Sequence, residues 1–282
     1  MNEKILKTKS NGFAALFFIV LMIIVAIASF ISSIAFLKNE ALSVVGVLLS
    51  IFLFIASIIS FGGLKVVKPQ EAIVLTLFGE YTGSIKEPGF YFVNPFSVAV
   101  NPASKTKLGQ SGDVDRQSTP VTISTTGVGA NLDALNKQVS LKIMTLNNSR
   151  QKINDCLGNP VEIGIAVTWR VVDTAKAVFN VDNYKEYLSL QCDSALRNIV
   201  RIYPYDVAPN VDTTGDGVAD EGSLRGSSEI VAKRIRDEIQ ARVENAGLEI
   251  IEARITYLAY APEIAAVMLQ RQQASAIIDA RK

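Results

Sequence analysis

Four oxygen-bearing side chains in one loop are spaced as they would be around a metal ion. They stand at positions one, three, five and nine of a twelve-residue loop and are Asp212, Thr214, Asp216 and Asp220. With Gly217 at position six, where a sharp turn is needed, this spacing is typical of a calcium-binding EF-hand loop. Position twelve, however, is Ser223 instead of a bidentate glutamate, and Pro209 lies where an entering helix belongs. The loop is better interpreted as a solvated acidic loop, and its four side chains are weak calcium candidates.

The remaining residue types exclude most catalytic chemistry. The chain has no histidine, which is the commonest general base near neutral pH and the commonest transition-metal ligand. Its two cysteines, Cys156 and Cys192, form no CxxC pair and favour two free thiols in a reducing compartment over one disulfide. No phosphate-binding loop, nucleophile elbow or HExxH motif is present. The sequence therefore predicts a protein that is not an enzyme, with no catalytic residue, no cofactor and no established metal site.

Charge and hydrophobicity are distributed very differently along the chain. Lysine plus arginine (28) nearly balances aspartate plus glutamate (27), so no positive field is available to hold nucleic acid. Apolar residues make up 49% of the composition and are concentrated in the first 64 residues. We therefore expect a membrane segment followed by a soluble domain and no nucleic-acid partner.

The first part of the chain predicts a transmembrane helical hairpin over residues 13–64. The run from Phe13 to Leu37 carries no charge and, as a helix, would reach about 37 Å, which exceeds the roughly 30 Å of a bilayer core. Lys38, Asn39 and Glu40 interrupt it, and a second uncharged run follows from Ala41 to Leu64. Because the connection is so short, a re-entrant hairpin that does not cross fully is the alternative.

Lysine placement indicates how this hairpin is oriented. Lysines precede the first helix and follow the second, at Lys4, Lys7, Lys9, Lys65 and Lys68, whereas the connecting turn has a single lysine beside a glutamate. By the positive-inside rule both ends face the cytoplasm. We therefore expect a cytoplasmic tail over residues 1–12, an anchor in the cell (inner) membrane and a soluble domain in the cytoplasm.

The soluble part is predicted to be α+β with an antiparallel sheet. Strand patterns occur at 71–78, in the apolar segment that follows Pro88-Gly89, at 139–146 and at 161–172, and polar insertions lie near 101–138 and 207–226. In the 161–172 strand the residues expected to face inward are Ile163, Ile165, Val167 and Trp169. A later one-sided strand is predicted from the alternation of Ile251, Ala253, Ile255 and Tyr257.

Helices are predicted between and after these strands. A short one covers 173–178, and a longer one covers 183–202, with the side chains available to pack being Tyr187, Leu190, Leu196, Ile199 and Val200. A third, over 228–246, has one apolar stripe of Val231, Ile235, Ile239 and Val243 and stops at Gly247. We expect these helices to cover the sheet.

The C-terminal stretch, residues 261–282, predicts the start of a long helix. Pro262 suits its first turn, and no later glycine or proline ends it before Lys282. A sparse heptad-like spacing marks candidate oligomer-interface residues, which are Ile264, Met268, Arg271, Ser275 and Ile278. This pattern is compatible both with a terminal helix docked on its own domain and with a self-associating coiled coil.

The order of segments resembles the SPFH or band 7 family, which includes stomatins, prohibitins, flotillins and the bacterial HflK and HflC proteins. The matching segments follow the hairpin and read VVKPQEAIVLTLFGEYTGSIKEPGFYFVNPF, NPVEIGIAVTWRVVDTAKAVFNVDNY, ALRNIVRIYPYD and AGLEIIEARITYLAYAPEIAAVMLQRQQASAIIDARK. They cover most of residues 65–282, with 65–260 expected to form the SPFH (prohibitin homology) domain. The terminal helix here is shorter than in many relatives, and neither cysteine lies near the hairpin to accept a palmitoyl chain.

The resemblance implies a fold and a role but no catalytic residues. It implies a mixed α/β domain with a long C-terminal helix, assembled into membrane-bound rings or cages that organise lipid microdomains and protein partners. We therefore expect a homo-oligomeric, stomatin-like scaffold whose partners are membrane lipids and other copies of the chain. The rival expectation is an accessory or regulatory subunit of a membrane protease or transporter.

Overall fold

The computed structural model of the chain describes residues 2–6, 10–35, 40–108, 114–115, 137–148, 150–206 and 222–279. The chain divides into two compact units. The first consists of Met1–Ser104 and Asp133–Leu141, and the second of Lys105–Leu132 and Lys142–Lys282. The fold is α+β, as predicted, with two N-terminal apolar helices, antiparallel sheets and a C-terminal helix.

Two apolar helices open the first unit, α1 at Gly12–Ala35 and α2 at Glu40–Phe61. Both are long and apolar enough to cross a membrane, with mean hydropathies of 3.1 and 2.7. The second run was expected to stay helical through Leu64, but α2 ends at Phe61. Gly62 and Gly63 donate their N–H groups to the carbonyls of Ile59 and Ser60, at 3.0 Å each, and the chain then becomes extended.

The strands of the first unit form two small antiparallel sheets. They are β1 at Leu64–Val67, β2 at Glu71–Leu77, β3 at Glu80–Ile85, β4 at Gly89–Phe92, β5 at Val98–Ala99 and β8 at Val139–Ser140. β1 pairs with β4, and β2 pairs with β3, β5 and β8. Their core is an apolar cluster of Val67, Ile73, Leu75, Ile85 and Tyr91.

Residues that precede α1 pair with β3 and so extend the sheet that contains β2 and β3. The sequence predicts a tail over residues 1–12, but Ile5 bridges Ser84 of β3, the Leu6 amide donates to the Ser84 carbonyl at 2.9 Å, and the Ser84 amide donates to the Lys4 carbonyl at 2.8 Å. The Leu6 side chain packs on the apolar cluster of the sheet. Segments on both sides of the hairpin are therefore parts of one folded unit.

The second unit is built around one long central strand. Its main sheet contains β9 at Met144–Asn147, β10 at Gln151–Asn154, β11 at Pro160–Val171 and β12 at Leu248–Tyr260, and a separate ribbon pairs β6 at Lys107–Leu108 with β7 at Val114–Asp115. β11 pairs with β12 along one edge and with β9 and β10 along the other. The predicted inward residues of β11 (Ile163, Ile165, Val167 and Trp169) are fully buried.

The C-terminal helix, α6, covers Pro262–Asp279, and three earlier helices flank the sheet. They are α3 at Thr174–Phe179, capped by the Asp173 carboxylate, α4 at Tyr184–Val200, capped by the Asn183 amide oxygen, and α5 at Ser228–Val243, extended by a 3₁₀ turn to Ala246. The predicted stripe of α5 is confirmed, since Val231, Ile235, Ile239 and Val243 are all fully buried.

Two packing predictions in this unit are wrong. Leu190 was expected to pack, but 65% of its surface is exposed, and the inner face of α4 is formed by Leu188, Cys192, Ala195 and Leu196 instead. Ile251 was expected to face inward but is 40% exposed, whereas Ile250 is buried. A β-bulge causes this second error, because Thr168 lies opposite Glu252 and Trp169 opposite Ile250, which leaves Ile251 as an extra residue.

Gly247 joins α5 to β12 in a conformation that only glycine adopts without strain. Its φ is +68°, and its amide and carbonyl bond to the Glu244 carbonyl and to the Val172 and Asp173 amides. A Cβ at this position would lie 2.3 Å from the carbonyl oxygen of Asp173. Gly158 has a similar φ of +82° but open space around its Cα.

This contrast yields a prediction about stability. We expect Gly247→Ala to lower the free energy of unfolding by about 2 to 4 kcal/mol, since it combines backbone strain with a clash. Gly158→Ala is the matched control and should cost only about 1 kcal/mol, since it carries the strain alone. Urea unfolding of the detergent-solubilised chain measures both. Equal losses in the two variants would contradict the assigned clash with Asp173.

Candidate membrane-anchoring site

The two apolar helices meet along a seam of small residues. Ala26 and Ser33 of α1 and Ser50 and Ser57 of α2 are buried small residues, seven positions apart on each helix, and Ala26 and Ser50 line one cleft between the helices. The larger Ile19 is buried one repeat earlier on α1, whereas Gly12 lies against Phe90 of β4. Small side chains at such positions let two helix backbones approach closely inside a bilayer. The sequence therefore encodes a hairpin whose helices pack on each other.

The serine hydroxyls of the anchor are satisfied within their own helices. Ser50 donates to the Val47 carbonyl at 2.8 Å, Ser57 to the Phe54 carbonyl at 2.7 Å and Ser60 to the Ala56 carbonyl at 2.8 Å. A hydroxyl without a partner in hydrocarbon would be costly, so these local bonds make the serines compatible with a membrane.

The outer surface of the hairpin is a continuous display of large apolar side chains. More than two fifths of each of these side chains is exposed, and examples are Phe13, Phe17, Phe18, Ile24, Ile34, Leu48, Phe52 and Ile58. A soluble protein rarely exposes an apolar patch of this extent, whereas a lipid-facing helix pair must. The chain is accordingly membrane-associated through α1 and α2.

The loop after β4 is attached directly to the end of the anchor. The Val93 amide donates to the Gly63 carbonyl at 2.9 Å, and a Cβ on Gly63 would lie 2.4 Å from the Val93 carbonyl oxygen. Within the loop, the Asn94 side chain accepts a hydrogen bond from the Phe96 amide at 3.0 Å. Residues 93–97 are therefore held where the anchor emerges into the folded unit.

Two exposed aromatic rings stack at this place. Phe96 is 57% exposed and Phe78 is 87% exposed, and their ring centroids are 6.3 Å apart with an interplanar angle of 25°. Phe78 lies in the two-residue turn between β2 and β3 and has a φ of +51°, where glycine, asparagine or aspartate is usual. Two large aromatic rings exposed to this extent, one of them in a strained turn, mark this pair as a candidate contact for an apolar environment. Sequence reasoning missed the pair because its residues are 18 positions apart; the signal is an aromatic residue before glycine in a hairpin turn.

The weak calcium candidates cannot be placed, since Asp212, Thr214, Asp216 and Asp220 lie outside the described residues. Ser223, at position twelve, is described and fully buried, and its hydroxyl accepts a hydrogen bond from the Gly226 amide at 2.9 Å. Within the described ranges, no group of three or more histidine, cysteine, aspartate or glutamate side chains is arranged to hold a metal ion.

The two thiols are poorly suited to nucleophilic chemistry. Both Cys156 and Cys192 are free, and Cys192 is buried in α4. Burial raises the pKa of the Cys192 thiol, and the negative charge of Asp193 raises it further; burial and then Asp155 raise the pKa of Cys156. Because the thiolate is the reactive form, both groups are kept in their unreactive state near neutral pH.

The candidate interface residues on α6 have different environments. Ile264 and Met268 are half-buried and Arg271 is exposed, while the side chains of Ser275 and Ile278 lie outside the described set. Other apolar residues of α6 are exposed, namely Val267 at 64%, Leu269 at 56% and Ile277 at 55%, and the heptad-like spacing did not include them. The helix is therefore only partly docked on its own unit.

One ion pair holds the first turn of α6 against the sheet. The Lys152 ammonium of β10 lies 2.6 Å from the Glu263 carboxylate, and the Ala261 amide donates to the Pro160 carbonyl at 2.9 Å. The hydrogen bond from Lys152 lowers the pKa of Glu263, with a backbone hydrogen bond in the helix's first turn as a second cause. The pair is exposed, so it orients the helix more than it stabilises the fold.

The chain matches a known protein-family model. The family model described as SPFH domain / Band 7 family matches residues 65–282. No curated protein matches the chain. The matched range begins directly after the hairpin and includes strands β2 to β12 and α6.

The ion pair yields a prediction about pH. We expect Lys152→Met to raise the pKa of Glu263 towards its ordinary value of about 4.3, because the main cause of the lowering is removed. Since the pKa in the folded chain is lowered, any help that the pair gives α6 is present above the ordinary pKa and is lost as pH falls through the lowered one. Carbon-detected NMR titration of labelled glutamate carboxylates measures it. Lys176→Met is the control, and an unchanged Glu263 titration in Lys152→Met would contradict the assignment.

Proposed function

Because the chain belongs to the SPFH domain / Band 7 family, we propose that it is a non-enzymatic oligomeric scaffold that forms membrane-bound rings or cages and organises lipids and protein partners. Family membership gives a membrane-associated, scaffold-type role in general terms, and the family is generally non-enzymatic. Ring or cage assembly and the partners are the proposed part.

The observation that carries the proposal is the way in which the anchor joins its folded unit. Residues 4–6 pair with β3 before α1 begins, and β1 starts within three residues of the end of α2. A hairpin whose two ends both enter one folded unit leaves little freedom between the membrane and that unit. Neighbouring copies held in the same bilayer therefore present their folded units to each other at one height, which favours lateral association.

Charge placement supports a cytoplasmic position for both ends of the hairpin. Lys4 precedes α1, and Lys65 and Lys68 follow α2. Because the residues before and after the hairpin belong to one folded unit, the lysines on the two sides lie at the same end of the hairpin, as the positive-inside rule requires. We accordingly place the folded units in the cytoplasm, below the inner membrane.

Assembly requires apolar surface that is exposed in the single chain, and α6 has such a surface. Val267, Leu269 and Ile277 are exposed apolar residues on a helix that is fixed mainly at its first turn. Burying them between copies would remove apolar area from water, at about 25 cal/mol for each Å². We include the half-buried Ile264 and Met268 in the same contact.

The first test is the mass of the assembly. We expect the detergent-extracted chain, 30.6 kDa as a monomer, to form one homogeneous particle of many subunits in light scattering, with ring or cage outlines in negative stain. The double variant Val267→Glu/Leu269→Glu should lower the particle mass at equal concentration, because it places charges in the contact. Leu190→Glu is the matched control, since Leu190 is equally exposed but lies on α4. A stable monomer or dimer that grows only when a membrane protease or transporter is added would favour the accessory-subunit function instead.

The second test concerns the exposed aromatic pair. We propose that Phe78 and Phe96 enter the lipid interface beside the end of α2, where aromatic rings are favoured. In Phe96→Trp, we expect brominated lipids to quench the new tryptophan at least about twofold more than in the parent chain, whose one tryptophan, Trp169, is fully buried. The same variant in unbrominated vesicles is the control. Quenching equal to that of the parent chain would show that the pair faces water or another protein.

A further inference from the structure

The outer edge of β12 is open over most of its length. β12 pairs with β11 on one side, and within the described ranges no other strand pairs with it. An edge strand of this length carries a row of N–H and C=O groups that can template another strand, and proteins usually block such edges. In the described part of the chain, only the first residues of this edge of β12 are covered, by a side chain of α5.

The start of the edge is covered by one side chain of the same chain. The Gln240 side chain accepts a hydrogen bond from the Ile250 amide at 2.7 Å and donates one to the Leu248 carbonyl at 3.2 Å. Its amide group thus takes the place of a neighbouring strand at residues 248–250. The bulge at Ile251 follows, and Gln240 reaches no further along the strand.

Beyond the bulge, a groove runs along the edge. A cavity of about 510 Å³ is lined on one side by residues 251–255 and on the other by Ser228, Glu229, Ala232, Lys233 and Arg236 of α5. A second cavity, of about 250 Å³, continues along residues 255–258, and both cavities share Ser228 and Ile255. The space beside the edge is therefore elongated, like an extended backbone.

The hydrogen bonds of β11 determine which backbone groups of β12 point into this groove. The Asn148 amide donates to the Ile165 carbonyl, so Ile165 directs its polar backbone towards β9, and the next residue, Ala166, faces β12. Ala166 lies opposite Arg254, and Thr168 lies opposite Glu252. Glu252 and Arg254 therefore use their backbone groups within the sheet, and Ala253 between them directs its N–H and C=O outward into the groove.

The side chains along the edge complement themselves in one antiparallel register. Glu252 and Arg254 lie on the solvent-exposed face with opposite charges. If two β12 strands pair about a twofold axis at Ala253, each Glu252 lies opposite the partner's Arg254. Centring the pair on residue 252 or 254 would instead place two like charges opposite each other, which is destabilising.

We infer that two copies of this chain pair through the outer edges of their β12 strands, antiparallel and centred on Ala253. This deepens the proposed oligomeric function and rests on it for the choice of a second copy as the occupant. The two Ala253 residues exchange their outward N–H···O=C bonds. The exposed ion pair between Glu252 and Arg254 of one strand, at 2.6 Å, contributes little to stability. Exchanging it for the same pair between two strands therefore costs little. An edge protected by like charges would repel its own copy, whereas this one attracts it.

Disulfide formation tests the register directly. In the proposed pairing, residue 252 and the partner's residue 254 form a non-hydrogen-bonded pair with Cα atoms about 4.5 Å apart, within the range that a disulfide bridges. Residue 252 and the partner's residue 252 lie more than about 7 Å apart, beyond that range. Full-length chains carrying Glu252→Cys and Arg254→Cys, with different tags, should form a mixed disulfide in membranes when co-expressed. Either variant alone, and the parent chain with its two native thiols, should give at least about tenfold less.

Charge reversal tests the same register without new thiols. Glu252→Arg or Arg254→Glu alone places like charges opposite each other at two symmetric positions, and should weaken pairing about tenfold. The double variant Glu252→Arg/Arg254→Glu restores opposite charges and should restore pairing. Glu244→Arg, an exposed reversal in the 3₁₀ turn before β12, is the control. Energy transfer between two fluorescently tagged populations of the full chain in vesicles measures each.

The outcomes separate this inference from the proposed function. A large particle that forms no mixed disulfide would overturn β12 pairing and support the scaffold function. A mixed disulfide in a particle no larger than a dimer would support β12 pairing and contradict the scaffold function. A disulfide from Glu252→Cys to a different protein would show that the edge belongs to another partner and would overturn the inference. Equal weakening in the single and double charge variants would also overturn it.

Discussion

Inside a bilayer no water is present to satisfy a backbone amide or a hydroxyl, and helices α1 and α2 obey that constraint. Their backbones are helical, and the hydroxyls of Ser50, Ser57 and Ser60 bond to carbonyls one turn back in the same helix. The helices can then meet at small residues and leave their large apolar side chains to the lipid. The strands of the first unit follow directly, since β1 begins at Leu64, three residues after the end of α2.

The second unit depends on a different constraint, the need of one long strand for partners on both edges. β11 is apolar on its inner face, covered by helices, and paired along its full length. Its neighbour β12 has a partner strand on one edge only, since among the residues that the structure describes no strand pairs with its outer edge. Gln240 covers one end of this edge with a side-chain amide, and the bulge at Ile251 marks where that cover stops. The strand that organises the unit therefore leaves an incomplete edge as a by-product.

Much of this could be predicted from the sequence, because long periodic patterns survive in the folded chain. The stripe of α5, the alternation of β11 and the start of α6 at Pro262 all appear as predicted. Errors occur where a local event resets the pattern or a distant segment intervenes. The bulge shifts the phase of β12 by one residue, so Ile250 is buried in place of Ile251. Leu190 was expected to pack, but the buried face of α4 follows Leu188 and Cys192.

The candidate sites were harder to predict than the fold, for a physical reason. A stacked pair such as Phe78 and Phe96 depends on two turns that meet only after the strands have paired. The cover of β12 by Gln240 likewise depends on how α5 crosses the sheet. Neither contact has a periodic signature in the sequence. The spacing on α6 left a docked helix and a self-associating coiled coil both open, and it did not include Val267, Leu269 and Ile277, which are exposed.

The pairing of residues 4–6 with β3 also bears on how the protein is made. Ser84 is synthesised about 80 residues after Ile5, so at ordinary translation speeds the N-terminal segment waits roughly 4 to 16 seconds for its partner. During that interval the hairpin between them must enter the membrane with its N-terminus kept on the side where Ser84 will lie. A leader, tag or fusion that draws the N-terminus through the membrane would separate two halves of one sheet. The order of synthesis thus makes early retention of the N-terminus a condition for folding the domain.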